Sequence, residues 1–156
     1  MYESFLKLKG RKVANADTKK NFGRLSDILV NKSTNEIIGI ISKNDTLLYR
    51  HRLFYMTDIV KIEEVTVFVK GYGEKFAKVI PIYGDYTSCE NDIYKKRAVF
   101  QSGTEAGKIQ NINFDFEAGM ISEFEIGSSL MQDILNGRMV CPAKNCLTFV
   151  KGDILV

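Results

Sequence analysis

Residues 23–41 and 107–125 carry nearly the same text at a constant spacing of 84. The first copy reads Gly23-Arg24-Leu25-Ser26-Asp27-Ile28-Leu29-Val30-Asn31 and continues into Asn35-Glu36-Ile37-Ile38-Gly39. The second reads Gly107-Lys108-Ile109-Gln110-Asn111-Ile112-Asn113-Phe114-Asp115 and continues into Gly119-Met120-Ile121. Glycine matches glycine, Arg24 matches Lys108, Asp27 matches Asn111, Asn31 matches Asp115 and Asn35 matches Gly119. A repeat this long reads as a duplicated domain rather than a stacked solenoid unit. It divides the chain into residues 1–84 and 85–156, with the boundary placed near Tyr83 to Asn91, where the core pattern lapses among glycines. Units this small bury only about 60% of the surface their unfolded chains expose, so the halves are expected to pack on each other.

Period-2 alternation dominates both copies. Ile112, Phe114 and Phe116 alternate with Asn113, Asp115 and Glu117, and Phe124 and Ile126 alternate with Glu123 and Glu125. That pattern is a strand with one buried face. The link at Ala118-Gly119 suits a hairpin. In the first copy Ile28-Leu29-Val30 and Ile37-Ile38-Gly39-Ile40-Ile41 flank the turn-forming run Asn31 to Asn35 and read as strands buried on both faces. Each half closes in further strands, at residues 58–69 and 145–156. One helix is expected, from a Ser129 cap through Leu130, Met131, Ile134 and Leu135 to Gly137; its counterpart near Asp45 to Arg52 is too short to assign.

The start of each copy, Gly-[Lys/Arg]-apolar-x-[Asp/Asn] followed by three apolar positions and a second Asp/Asn, resembles the PRC-barrel family of small β-barrels. Gly23 to Asn31 fits throughout, and Gly107 to Asp115 departs only at Asn113, where an apolar residue is usual. Val140-Cys141-Pro142 and the closing Gly152-Asp153-Ile154-Leu155-Val156 also resemble the family. The first copy departs there, with Met56 near the proline's place. These motifs mark turns, caps and core positions and bring no catalytic residues with them. The resemblance implies the fold and a docking role, in some relatives toward a ribosomal protein or membrane partners.

The chemistry-bearing residues point the same way. Cys89, Cys141, Cys146 and the single His51 lack zinc-knuckle spacing and read as core thiols and a surface imidazole. Three cysteines without a framework suit a reducing compartment. Glu123 and Glu125 share a strand face but read as its wet side, and Lys70 to Lys75 lacks phosphate-loop order. Net charge is +3, yet residues 1–24 carry seven cations against two acids, while residues 109–137 carry five acids and no cation. Tyr94, Lys95, Lys96 and Arg97, with Tyr83, Tyr86 and Phe100 nearby, interleave aromatic and basic groups as single-stranded RNA surfaces do. The same residues also suit a seam between two barrels.

No run approaches the roughly 20 apolar residues of a membrane span, and Met1 to Lys7 lacks a signal-peptide core. The expectation is therefore an all-β protein of two tandem small PRC-type barrels with one short helix in the second. It is cytoplasmic, bacterial in type and non-enzymatic, needs no cofactor or metal, and docks a protein partner. The alternative is an RNA- or ribosome-associated factor acting in RNA processing through Tyr94, Lys95, Lys96 and Arg97 together with the basic N-terminal segment. Exposed strand edges also allow a homodimer.

Overall fold

The structure, a computed structural model, describes residues 2–44, 50–76, 85–127, 137–145, 148–150 and 153–156. The expected helix at 129–137 lies, but for Gly137, outside the described residues. The chain begins with β1 (Tyr2–Ser4), α1 (Phe5–Leu8), β2 (Lys12–Asn15), β3 (Asn21–Asn31), β4 (Ile37–Asn44) and β5 (Arg50–Tyr55). Then come β6 (Ile59–Ile62), β7 (Thr66–Val69), β8 (Glu74–Lys75) and β9 (Tyr86–Ser88), followed by a π-helical turn at Cys89–Ile93. The rest is β10 (Arg97–Val99), β11 (Glu105–Asp115), β12 (Met120–Gly127), β13 (Met139–Pro142), β14 (Thr148–Val150) and β15 (Asp153–Leu155).

These strands build two sheets with one order. The first runs β6-β7-β2-β3-β4-β5-β8 and the second β14-β15-β10-β11-β12-β13. In each, one pair near the middle is parallel, β2 with β7 and β10 with β15. The all-β expectation holds. Neither sheet closes into a barrel among the described residues, because closure needs a hydrogen-bonded partner for both outermost strands and none is found there.

The spacing of 84 recurs in the ladders. Register shifts at Leu25/Asp27 and Leu29/Val30 are repeated at Ile109/Asn111 and Asn113/Phe114. The bulges bring residues three apart, Leu25 with Ile28 and Ile37 with Ile40, to the same core. Ordinary alternation then sends Ile28 and Val30 into the main core and Leu29 into a satellite cluster with Ile41 and Leu53. Burial on both faces, read from the aliphatic run, is met by two different clusters. Gly23 (φ +93°) and Gly107 (φ +139°) open the repeated segment where only glycine fits, since a Cβ would run into the carbonyl of Lys43 or Gly127.

The N-terminal strand does not stay with its own half. β1 pairs with β11, with Tyr2 opposite Asp115, and β9 pairs with β3, with Tyr86 opposite Asn31. Both pairings repeat at 84, so the halves exchange a strand reciprocally. The hairpin tips also meet: Ile37 N donates to Gly119 O (2.8 Å) and Ile121 N to Asn35 O (3.0 Å). Phe5, Leu8, Ile28, Phe54, Ile112, Phe114 and Phe124 then fall in one buried cluster. At roughly 2 kcal/mol for a fully buried large side chain, that shared core far exceeds what either half musters alone.

Candidate functional site

Asp27 and Asn111, the repeated acid/amide position, sit at the exchange. Asp27 Oδ1 accepts from Ile28 N (2.7 Å) and from Glu90 N (3.0 Å), across the halves. Asn111 Oδ1 likewise accepts from Ile112 N (2.9 Å) and Leu6 N (3.2 Å). Each therefore caps the helical turn of the opposite half, neutralising an orphan N–H. Ser88 supports the first cap: its hydroxyl donates to Asp27 Oδ2 and accepts from Asn91 N (3.1 Å). Ser4 accepts from Lys7 N (3.3 Å) in the second.

Asp27, Ser88, Cys89 and Glu90 thus form a polar cluster with the residue types of a catalytic set, but the Asp27 carboxylate and the Ser88 hydroxyl are committed to the caps. Burial pushes the Asp27 carboxyl above its ordinary value, against hydrogen bonds from Ser88, Glu90 and Ile28 that pull it down. Burial also pushes the Cys89 thiol well up, and the neighbouring Asp27, Asp92 and Glu90 carboxylates add to this. A protonated, fully buried thiol is a poor nucleophile. His51 lies on β5 of the first sheet and Cys141 on β13 of the second, so the structure does not bring them together. No group of metal-binding side chains forms among the described residues.

Within the Tyr94–Arg97 segment Tyr94 packs at the seam, while Lys95 and Arg97 are exposed. The ring of Tyr94 packs against Phe5 with centroids 6.0 Å apart, and Lys95 Nζ lies 5.3 Å over the same ring. Arg97 is held by Asp153 (Nη2 to Oδ2 2.6 Å). Lys95 N donates to Ile109 O as Gly10 N does to Leu25 O, both at 2.8 Å. Lys95 therefore occupies the left-handed position that Gly10 fills in the first half (φ 66° against 91°). The offset is one residue longer here because five residues wind a π turn where α1 has four.

Two further surfaces are more open. On the first sheet Lys12, Arg24 and Lys43 stand opposite one another across β2, β3 and β4, a row of three cations on one face that His51 on β5 continues. Only the pairing partners reveal it, since the residues are far apart along the chain.

The second surface is the outer face of the second sheet. In the first sheet that face is covered: Leu29, Ile41 and Leu53 are buried beneath Ile38, Tyr55, Phe76 and Tyr86. In the second, Asn113 takes the place of Leu29. A cleft of about 590 Å³ opens between Tyr2, Glu3, Lys7, Asn113, Ser122 and Glu123. Asn113 Nδ2 donates to Glu123 Oε1 (3.0 Å), and Arg11 grips Glu3 bidentately (3.2 and 3.0 Å). Beyond Ser122 a second hollow of about 350 Å³ runs past Met120 to Pro142 and Lys144. β13 borders it, with Met139 41% and Val140 50% exposed. The departure at Asn113 was the one sequence signal for this face.

No protein-family model matches the chain, and no curated protein is significantly similar to it. Among the described residues no helix is long and apolar enough to cross a membrane.

Proposed function

We propose that this protein is a non-enzymatic, cytoplasmic adaptor built from two PRC-type units, and that the second unit docks a protein partner. The observation that carries this reading is β13, where Met139 and Val140 are exposed while Leu53, the counterpart of Val140 on the first sheet, is buried. Exposed apolar side chains of this kind suit contact with another protein. The 84-residue recurrence of order, bulges and caps supports the duplicated unit. A pull-down from native cells, run at low and high salt with and without RNase, tests the docking role. A protein bound by the wild type through both treatments, and lost with Val140→Asp, is the expected result. If every partner is released by RNase or salt, the adaptor reading falls.

The cation row across the first sheet favours a second reading, an RNA- or ribosome-associated factor, with Lys12, Arg24 and Lys43 as phosphate contacts. RNA binding through about three such contacts makes log affinity fall with log salt at a slope of roughly −2 to −3. A flat salt profile, or one unchanged by Lys12→Glu with Arg24→Glu, counts against it.

A further inference from the structure

We infer that Tyr72 stacks against a base of a single-stranded nucleic acid, with Lys20 and Arg52 holding the flanking phosphates. This rests on the RNA reading, uses residues outside the cation row, and names the site that takes a base.

Two loops at one end of the first sheet build the site. β2 and β7 run parallel and both end there, at Asn15 and Val69, and β3 begins there at Asn21. The buried Asn15 side chain ties together the loops that follow. Its Nδ2 donates to Gly71 O (2.8 Å), and its Oδ1 accepts from Asp17 N and Thr18 N (both 2.9 Å). Ala16 N adds a bond to Val69 O (2.8 Å). Tyr72 stands between Gly71 and Gly73, and Gly73 (φ +68°) runs so close to Phe54 that a Cβ there would lie 2.9 Å from its ring. Phe22, itself buried, packs on Phe54 (5.1 Å) and meets Tyr72 edge-on (6.0 Å), yet Tyr72 stays 54% exposed. A ring held by buried aromatics and a fixed backbone, but open to solvent, offers a stacking surface already in place.

The surrounding charges set the chemistry of the occupant. Lys20 Nζ lies 5.3 Å from the centre of the Tyr72 ring and 5.8 Å from that of Phe22. The Arg52 guanidinium lies 6.0 Å from Phe22, and its Nη1 donates to Tyr72 O (3.0 Å). Among the described residues neither cation makes an ion pair. Glu74, the nearest acid along the chain, accepts instead from the hydroxyl of Tyr55 (3.1 Å), which packs on the satellite cluster. Two like charges gathered at one ring repel, and an anion between them removes that cost. A nucleotide supplies both halves of the match, a π face for Tyr72 and phosphates for Lys20 and Arg52. An acidic peptide answers the cations and leaves the ring bare, and a paired duplex offers no free base face. The repeated unit folds without this arrangement, since Thr104 and Ala106 stand where Lys20 and Phe22 stand in the first half.

Fluorescence anisotropy with labelled strands about eight nucleotides long tests the inference on the full chain. The probes are oligouridylate, oligodeoxythymidylate and an abasic strand of equal charge. A base-bearing strand is expected to bind saturably and about tenfold or more tighter than the abasic one. Tyr72→Phe should keep that affinity, while Tyr72→Leu should lose about tenfold with the salt slope unchanged. Lys20→Gln should flatten the slope by about 0.7. No binding up to about 1 mM, equal binding of the abasic strand, or indifference to Tyr72→Leu overturns the inference. So does equally tight binding of an oligoglutamate, which assigns the patch to an acidic protein. If Tyr72→Leu fails to fold, the contrast between base-bearing and abasic strands on the wild type still decides. Oligouridylate binding that is lost with Lys12→Glu and Arg24→Glu but indifferent to Tyr72→Leu sinks this inference and leaves the RNA reading standing. Binding of the thymidylate alone, sensitive to Tyr72→Leu, keeps the stacking site and sinks the RNA reading.

Discussion

Asp27 and Asn111 occupy equivalent positions and make the same two backbone caps, yet one carries a charge and the other does not. The caps need only a side-chain oxygen acceptor, which an amide supplies as well as a carboxylate. The charge is a cost, since burial raises the Asp27 carboxyl above 3.8. A carboxyl with a raised folded value binds its proton more tightly in the folded state. Its favourable contribution is therefore complete below the unfolded value and is lost as pH rises through the folded one. Asp27→Asn is expected to leave stability unchanged near pH 3 and to match or exceed the wild type at pH 7, by up to about 1 kcal/mol. The difference between the two chains should grow upward from about pH 4 and then level off. Denaturant unfolding across that range checks it, and a loss of more than about 1 kcal/mol at pH 7 would show that the charge itself is needed at the cap.

At the scale of the element, the long strands β3 and β11 are shaped by their bulges more than by their apolar pattern. Alternation alone assigns Asn113 to the wet face and Phe114 to the core, and both assignments agree with the ladders. It misses the length of the strands, because Glu105–Gln110 reads as polar and glycine-containing although it continues the same ladder. Gly107 is what allows that continuation. Gly107→Ala is expected to cost about 2–3 kcal/mol, combining a disfavoured φ with a collision at the Gly127 carbonyl. Gly119→Ala, at φ +73° near the left-handed helical region and with open space around it, should cost about 1 kcal/mol. Equal thermal shifts for the two would mean that β12 gives way at Gly127 and that the close approach is not enforced.

Across the whole molecule the decisive event is the reciprocal exchange of β1 and β9, which makes each half a structural part of the other. Deleting residues 1–4 removes β1 and the Ser4 cap together. Hydrogen exchange is then expected to accelerate by about tenfold or more in the Asn113–Asp115 stretch, while Leu29–Asn31 stays protected by β9. Acceleration at Leu29–Asn31 instead would mean that β1 pairs within its own half. Cations of the basic residues 1–24 are met by acids outside the acidic residues 109–137. Arg11 grips Glu3 on the exchanged strand and Lys9 grips Glu90 (2.6 Å), while the Lys12–Arg24 side and the Glu123–Glu125 side remain separate surfaces.

The sequence by itself determined the two-fold recurrence, the strand-turn-strand units and the glycine entry to each. All of these are local rules of backbone sterics, alternation and turn chemistry, and they act within about ten residues. Only the tertiary structure decided that Asp27 and Asn111 each cap a helical turn of the opposite half, that Tyr94 packs at the seam, and that three distant cations line up across the first sheet. Each of those depends on pairing partners far apart along the chain. Identical local text accommodates an exchanged or an unexchanged strand, and the choice is made by the free energy of burying one shared core.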